Sequence, residues 1–214
     1  MFHILELDTW KRAPIFRHFI EEVRNVIAVT ATVDVTGLRT RCKRDGLRFY
    51  PVFLYVISRA VNRQPELRMG WDAQGNVGIW DAVCPAYVVF HEQDKLITHM
   101  STAYTSDFDA FYTAVIQTMA EHEQVRGFGH APLPPNHFDA SLVPWLDYQA
   151  LNLHVFDAGN YLAPVITGGK YTEREGRWCM PLSIQIHHAA ADGYHVSRFF
   201  ADVQQEIDWL TPQS

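Results

Sequence analysis

Pro181-Leu182-Ser183-Ile184-Gln185-Ile186-His187-His188-Ala189-Ala190-Ala191-Asp192-Gly193-Tyr194-His195 is the stretch from which both fold and chemistry can be read. Side chains alternate across a strand, so Leu182, Ile184, Ile186 and His188 share one face and Ser183, Gln185 and His187 the other. This alternation predicts a strand over Leu182 to His188 and separates the two histidines. His188 extends an apolar row, where desolvation favours the neutral ring that a general base needs. His187, on the polar face, reads as a maker of structural hydrogen bonds, and His195 as structural. Asp192 stands directly before a helical pattern and serves equally well as its N-cap, with Gly193 easing the turn. The run follows no familiar zinc spacing and the cysteines lie elsewhere, so no metal site is expected.

The helical pattern after Gly193 runs to Leu210, with Val196, Phe199, Phe200, Val203, Ile207 and Leu210 on one face. Three more helices are predicted further upstream. Pro14 opens one, followed by Ile15, Phe16, Phe19, Ile20 and Val23, and Pro51 opens another with a broad apolar stripe from Val52 to Val61. Ser106 and Asp109 make a capping-box pattern before Phe111, Tyr112, Val115, Ile116 and Met119. Strands are expected over Val26–Val35, a hairpin through Gln74-Gly75-Asn76 towards Trp80, Tyr87–Phe90, Leu96–Met100, Ser141–Trp145, Leu151–Val155 and Pro164–Thr167. A loop is expected from Gly127 to Asn136. Strands and helices mix without strict βαβ alternation, which predicts an α+β two-layer sandwich, a mixed β-sheet with helices packed on it. No glycine-rich phosphate loop follows any strand, so a familiar nucleotide-binding fold is not expected.

The chain has 214 residues, the size of one domain, and is read as a single domain over residues 1–214. Eighteen Lys and Arg against 24 Asp and Glu give a formal charge of −6, without a basic cluster. Nucleic acid and anionic membrane are therefore poor candidates for partners. Apolar residues at 48 % and charged residues at 20 % exclude disorder over most of the chain. No apolar run approaches the roughly 20 residues of a membrane span, and acidic residues interrupt the N-terminal apolar run too early for a signal peptide. Three cysteines, Cys42, Cys84 and Cys179, lack any pairing or metal pattern, which fits a reduced, cytoplasmic setting.

The His187-His188-x-x-x-Asp192-Gly193 run resembles the signature of the acetyl-CoA-dependent acyltransferases, and its flanks resemble the chloramphenicol acetyltransferase family in particular. That family commonly reads Pro-Leu-Ser-(Ile/Val)-Gln-(Val/Ile)-His-His-Ala-Val-Cys-Asp-Gly-(Phe/Tyr)-His, from which only Ala190 and Ala191 depart. The likeness extends in order along nearly the whole chain. It takes in Trp10-x-Arg12, Phe49-Tyr50-Pro51, Glu66-Leu67-Arg68-Met69, Trp80-Asp81, Phe90-His91, Tyr104-x-Ser106-Asp107, Asn136-His137, Ser141-x-x-Pro144-Trp145, Tyr161-x-x-Pro164, Thr167 and Lys170-Tyr171.

The resemblance implies an O-acetyltransferase in which His188 takes the proton of an acceptor hydroxyl that attacks acetyl-CoA directly. Ser141 would donate to the oxyanion, Thr167 would hold a water beside it, and Asp192 would pair with Arg12. Lys170 and Tyr171 would contact coenzyme A, a co-substrate rather than a permanently bound cofactor. The acceptor, chloramphenicol or a related small alcohol, would meet Phe19, Val23, Asn25 and Ile27. Asn25 is polar among apolar neighbours, which leaves room for a different hydroxyl compound. The family also implies a homotrimer with active sites between subunits. Two other readings stay open, a dihydrolipoyl acyltransferase-like catalytic domain and a non-catalytic trimeric binding module of the same fold.

Overall fold

The computed structural model describes residues 1–128, 132–155 and 160–211. The long strand at the centre of the sequence argument becomes β10 (Arg177–His187). It pairs antiparallel along nearly its whole length with β2 (Val26–Asp34), Cys179 opposite Asp34 and His187 opposite Val26. Its other edge is shared. β9 (Thr172–Arg174) takes the start of the strand, and β8 (Val165–Gly168) takes Leu182 to Gln185. β8 then pairs parallel with β7 (His137–Leu142), and β7 parallel with β5 (Cys84–His91), whose outer neighbour is the antiparallel β6 (Leu96–Ser101). The result is a seven-stranded mixed sheet, as expected for the α+β class. A second, three-stranded sheet joins β1 (Phe2–Ile4), β4 (Val77–Trp80) and β3 (Met69–Trp71). Its hairpin turns through Gly75 at φ +82, where Asp72 accepts from the Gln74 and Asn76 amides.

One face of the large sheet is covered by helices. α3 (Phe49–Asn62) is buried almost all round, from Pro51 to Ser58, which is the pattern of a helix enclosed by others. α4 (Phe108–Glu121) and α5 (Gly193–Leu210) pack against it, with Phe111, Val115, Phe199, Val203 and Ile207 in the shared core. Between α3 and α5 lies a buried ion cluster. Glu206, 1 % exposed, is 2.5 Å from Arg59 and 2.6 Å from Arg63, and Gln64 donates to Asp202 at 3.0 Å.

The structure departs from the sequence expectations in several places, the short strands β1 and β9 among them. α2 (Thr36–Asp45) was not expected: only Leu38 and Cys42 of its residues are buried, so it carries almost no apolar stripe. Residues 151–155 form no strand. Leu153 and Val155 are 48 % and 39 % exposed, and no sheet edge receives their amides. The strand expected at Ser141–Trp145 instead runs from His137 and stops at Leu142, two residues before a proline that has no amide to donate. α4 is capped by Asp107, which accepts from the Ala110 amide, rather than by Ser106, whose carbonyl accepts from Tyr55. Part of the loop expected from Gly127 to Asn136 lies outside the described residues. Among the described residues no helix is long and apolar enough to cross a membrane.

Candidate functional site

The residues singled out in the sequence form two groups. The first gathers where β10 ends. α1 (Ala13–Arg17), with Pro14 in its first turn, continues as a π-helical turn over His18–Glu22, which brings Arg12 and Phe19 to the histidine run. The His188 amide donates to the Asn25 carbonyl at 3.0 Å, so the pairing of β2 with β10 holds one residue past the strand. The backbone then turns, with the Ala190 and Ala191 amides donating to the His187 carbonyl. This fold-back puts the Ala191 carbonyl 3.1 Å from His188 Nδ1. A carbonyl only accepts, so Nδ1 carries the proton in that contact, and in the neutral ring Nε2 presents its lone pair. The half-buried ring lies flat on Phe19, centroids 3.9 Å apart and planes 10° apart. His187 is buried and accepts from the Ala189 amide at 3.1 Å, a structural hydrogen bond of the kind its face implied.

Asp192 carries both of its sequence readings together. It caps α5, accepting from the Tyr194 amide at 3.0 Å, while His195 Nδ1 accepts from the Asp192 amide at 3.2 Å and completes a capping box. Its other oxygen accepts from Arg12 Nη1 at 2.7 Å, and Arg12 Nη2 donates to the His188 carbonyl at 3.3 Å. Burial pushes the Asp192 carboxyl up. The Arg12 hydrogen bond, the nearby His195 and the Tyr194 amide together outweigh that and hold it below the usual carboxylate range. Arg12 thus ties the start of α5 to the backbone of the histidine. His195, through Asp192 and a 3.5 Å approach to Glu66, is part of the same brace.

The second group lies on β7 and β8. Ser141 and Thr167 are register partners on these parallel strands, their hydroxyls 3.1 Å apart on the sheet face away from the helices. Tyr148 donates to the Thr167 carbonyl, and Ser183 and Thr30 continue the network at 3.3 and 2.7 Å. Immediately beyond Ser141 a cavity of about 530 Å³ opens, lined by Leu142, Pro144, Trp145, Phe49, Lys170 and Tyr171. Gly169 lets the chain pass here. A Cβ on it would stand 2.6 Å from Pro181 and 2.8 Å from the Leu146 carbonyl. On the other side of Ser141, and on the same face by alternation, Asp139 accepts from Tyr161 and lies 4.0 Å from His99 Nε2. Burial pushes His99 down, against the opposing pull of Asp139. Neither His99 nor Asp139 stands out in the sequence. The period-two spacing of His137, Asp139 and Ser141 was the available signal.

One chain does not bring the two groups together. Thr167 sits beside Ser183, and His188 is five residues further along β10. That separates His188 from Ser141 by roughly 16 Å along the sheet and ~10 Å across it, at ~3.3 Å per residue and ~4.8 Å per strand. Of the four residues expected to meet an acceptor, Phe19 stacks on His188 and Asn25 touches it through its backbone. Val23 is 48 % exposed, and Ile27 packs on the core beside Ile186.

Known proteins share this sequence and this fold. Residues 1–204 match the family model described as chloramphenicol acetyltransferase. A chloramphenicol acetyltransferase of Clostridium perfringens is 35 % identical over 205 residues, covering 95 % of this chain and 94 % of that protein. One of Staphylococcus aureus is 32 % identical over 214 residues, covering 98 % and 99 %. A solved chloramphenicol acetyltransferase superposes with a TM-score of 0.84 at 25 % identity, over 97 % of this chain and all of that one. A probable dihydrolipoamide acetyltransferase of Listeria monocytogenes shares the fold at a TM-score of 0.68 and 13 % identity, over 94 % and 92 %. By sequence along nearly its whole length and by fold, the chain belongs to the chloramphenicol acetyltransferase family of enzymes.

Proposed function

We propose that the protein transfers the acetyl group of acetyl-CoA to a hydroxyl of chloramphenicol or a related small alcohol, in one ternary complex and without an acyl-enzyme. The observation that carries this reading is the His188 ring, whose Nδ1 faces the Ala191 carbonyl at 3.1 Å and whose Nε2 is left as a base. Nε2 takes the acceptor's hydroxyl proton as the oxygen attacks the thioester carbonyl. The new C–O bond converts that carbonyl to a tetrahedral oxyanion, to which Ser141 donates while Thr167 holds a water. Collapse breaks the C–S bond, and the proton on Nε2 passes to the departing thiolate, giving the acetyl ester and coenzyme A. Arg12 and Asp192 hold the turn that carries His188. Lys170 and Tyr171 bind coenzyme A along the cavity beside Ser141, while Phe19, Val23, Asn25 and Ile27 meet the acceptor.

We further infer a homotrimer in which His188 of one subunit faces Ser141 of the next. The separation of the two groups within one chain supports this, because both must reach atoms of one tetrahedral intermediate. So do the exposed apolar side chains Trp145, Leu146, Leu153 and Val26, which a subunit contact would cover. The protein is assigned to the cytoplasm, a reducing setting consistent with its free cysteines, and its partners are small molecules rather than nucleic acid or membrane.

Thiol release from acetyl-CoA tests the reading directly. Burial pushes the Cys42 and Cys84 thiols up to about 11, so these two add little to a thiol signal, and a blank without acceptor accounts for the partly exposed Cys179. Release that depends on chloramphenicol is the expected result. Coenzyme A formed only with dihydrolipoamide, read by chromatography because thioester exchange leaves the thiol count unchanged, would reassign the protein to the lipoyl branch, and none formed with it or with a panel of alcohols would leave a binding module.

A further inference from the structure

Arg39, on α2, is a cation whose side chain has no hydrogen-bond or ion-pair partner among the described residues. Its neighbours on the same helix are engaged, Arg44 with Asp45 and Arg41 with Asp45 and the Leu210 carbonyl. The Arg39 guanidinium instead lies over the Trp178 ring at 3.6 Å and 5.9 Å from the centroid of Tyr171. Its Nε is buried and has no acceptor. Tyr171 in turn packs on Phe49 at 5.1 Å and Trp178 at 5.7 Å, so the guanidinium abuts the wall of the cavity that Phe49, Lys170 and Tyr171 line.

Stacking fixes a guanidinium by its face and leaves its in-plane N–H groups directed outward, the arrangement that suits a planar, two-point grip on an oxyanion. The buried Nε is left without an acceptor, which is unfavourable, and a bound anion would offset that. Lys170 in the cavity lining and Arg39 beside Tyr171 bring two cations to this wall of the cavity. Resting on the reading of this cavity as the coenzyme A site, we propose that Arg39, held flat on Trp178, grips a phosphate at the nucleotide end of the co-substrate. The alternative of a purely structural stacking role predicts no dependence on phosphate.

Binding of coenzyme A, 3′-dephospho-coenzyme A and pantetheine, measured by calorimetry on wild type, Arg39→Leu and Arg39→Lys, tests this alongside KM for the acetylated forms. Loss of a charge-assisted two-point contact should weaken coenzyme A binding by about 10- to 100-fold in Arg39→Leu and less in Arg39→Lys, with kcat and the acceptor KM unchanged. A loss seen with coenzyme A and absent with the dephospho form assigns the contact to the 3′-phosphate. A loss that persists with the dephospho form and vanishes with pantetheine assigns it to the diphosphate. Equal affinity of Arg39→Leu and wild type for coenzyme A overturns the proposal, as does an equal loss with all three ligands, which would mark disturbed packing. Since binding is read without turnover, phosphate-dependent affinity in a protein that acetylates no alcohol would uphold the Arg39 contact and remove only the transferase reading.

Discussion

A histidine acts as a base through one nitrogen only when something fixes the other, and here that partner is a main-chain carbonyl. The fold-back after His187, not the side chain's own sequence neighbours, puts the Ala191 oxygen 3.1 Å from His188 Nδ1. Arg12 guards the same turn by gripping Asp192 and the His188 carbonyl together. If His188 is the base, His188→Ala should lose several orders of magnitude in kcat and still bind acetyl-CoA, since the cavity beside Ser141 is elsewhere in the chain. Ser141→Ala should lose about 10²-fold, the effect of removing one oxyanion donor. Turnover near wild type in either variant, measured by thiol release under saturating substrates, would strip that residue of its role. The motif made these residues visible in the sequence, and Asp192 shows a limit of such reading. Helix cap and arginine partner looked like rival interpretations, yet its two oxygens perform both at once.

Elements were legible in proportion to how much apolar side chain they bury. α5 and the long run of β10 announce themselves because every second or every third-to-fourth residue is apolar and is buried. α2 does not, because it contributes only Leu38 and Cys42 to the core and otherwise carries solvated charge. The Leu151–Val155 alternation misled for the converse reason, apolar side chains that this chain leaves exposed. Polar interiors were equally silent: nothing in the spacing of Arg59, Arg63 and Glu206 says that α3 and α5 meet through charge. That junction yields a prediction of its own. Glu206 is enclosed and neutralises two arginines that are each only partly exposed. Glu206→Ala would leave Arg59 uncompensated and Arg63 with Asp202 alone, and stability should fall by about 3 kcal/mol, the lower end of the range for breaking a buried pair because water reaches the arginines. Urea denaturation measures it. A loss under about 0.5 kcal/mol, the scale of an ordinary surface change, would mean the helices are held by apolar packing alone.

At the scale of the whole molecule the decisive quantity is a distance that no motif encodes. Strand register puts Ser141 beside Thr167 and Thr167 beside Ser183, while His188 sits at the far end of the same β10, so one chain carries both halves of the proposed chemistry without joining them. Register depends on which strands pair, which is why the separation could not be read from the sequence even though every residue involved could. A composite site makes a sharp prediction for mixtures. His188→Ala subunits keep Ser141, and Ser141→Ala subunits keep His188, so an interface with the serine from the first and the histidine from the second is intact. If the two variants are co-expressed with different tags, about one interface in three of every mixed trimer is of this kind, whichever variant is in excess. Doubly purified mixed oligomers should then recover activity of that order, far above either variant alone. If His188 and Ser141 instead acted within a single chain, every subunit in the mixture would lack one of them. Activity would stay at the sum of the separate variants, and the intersubunit site would have to be abandoned.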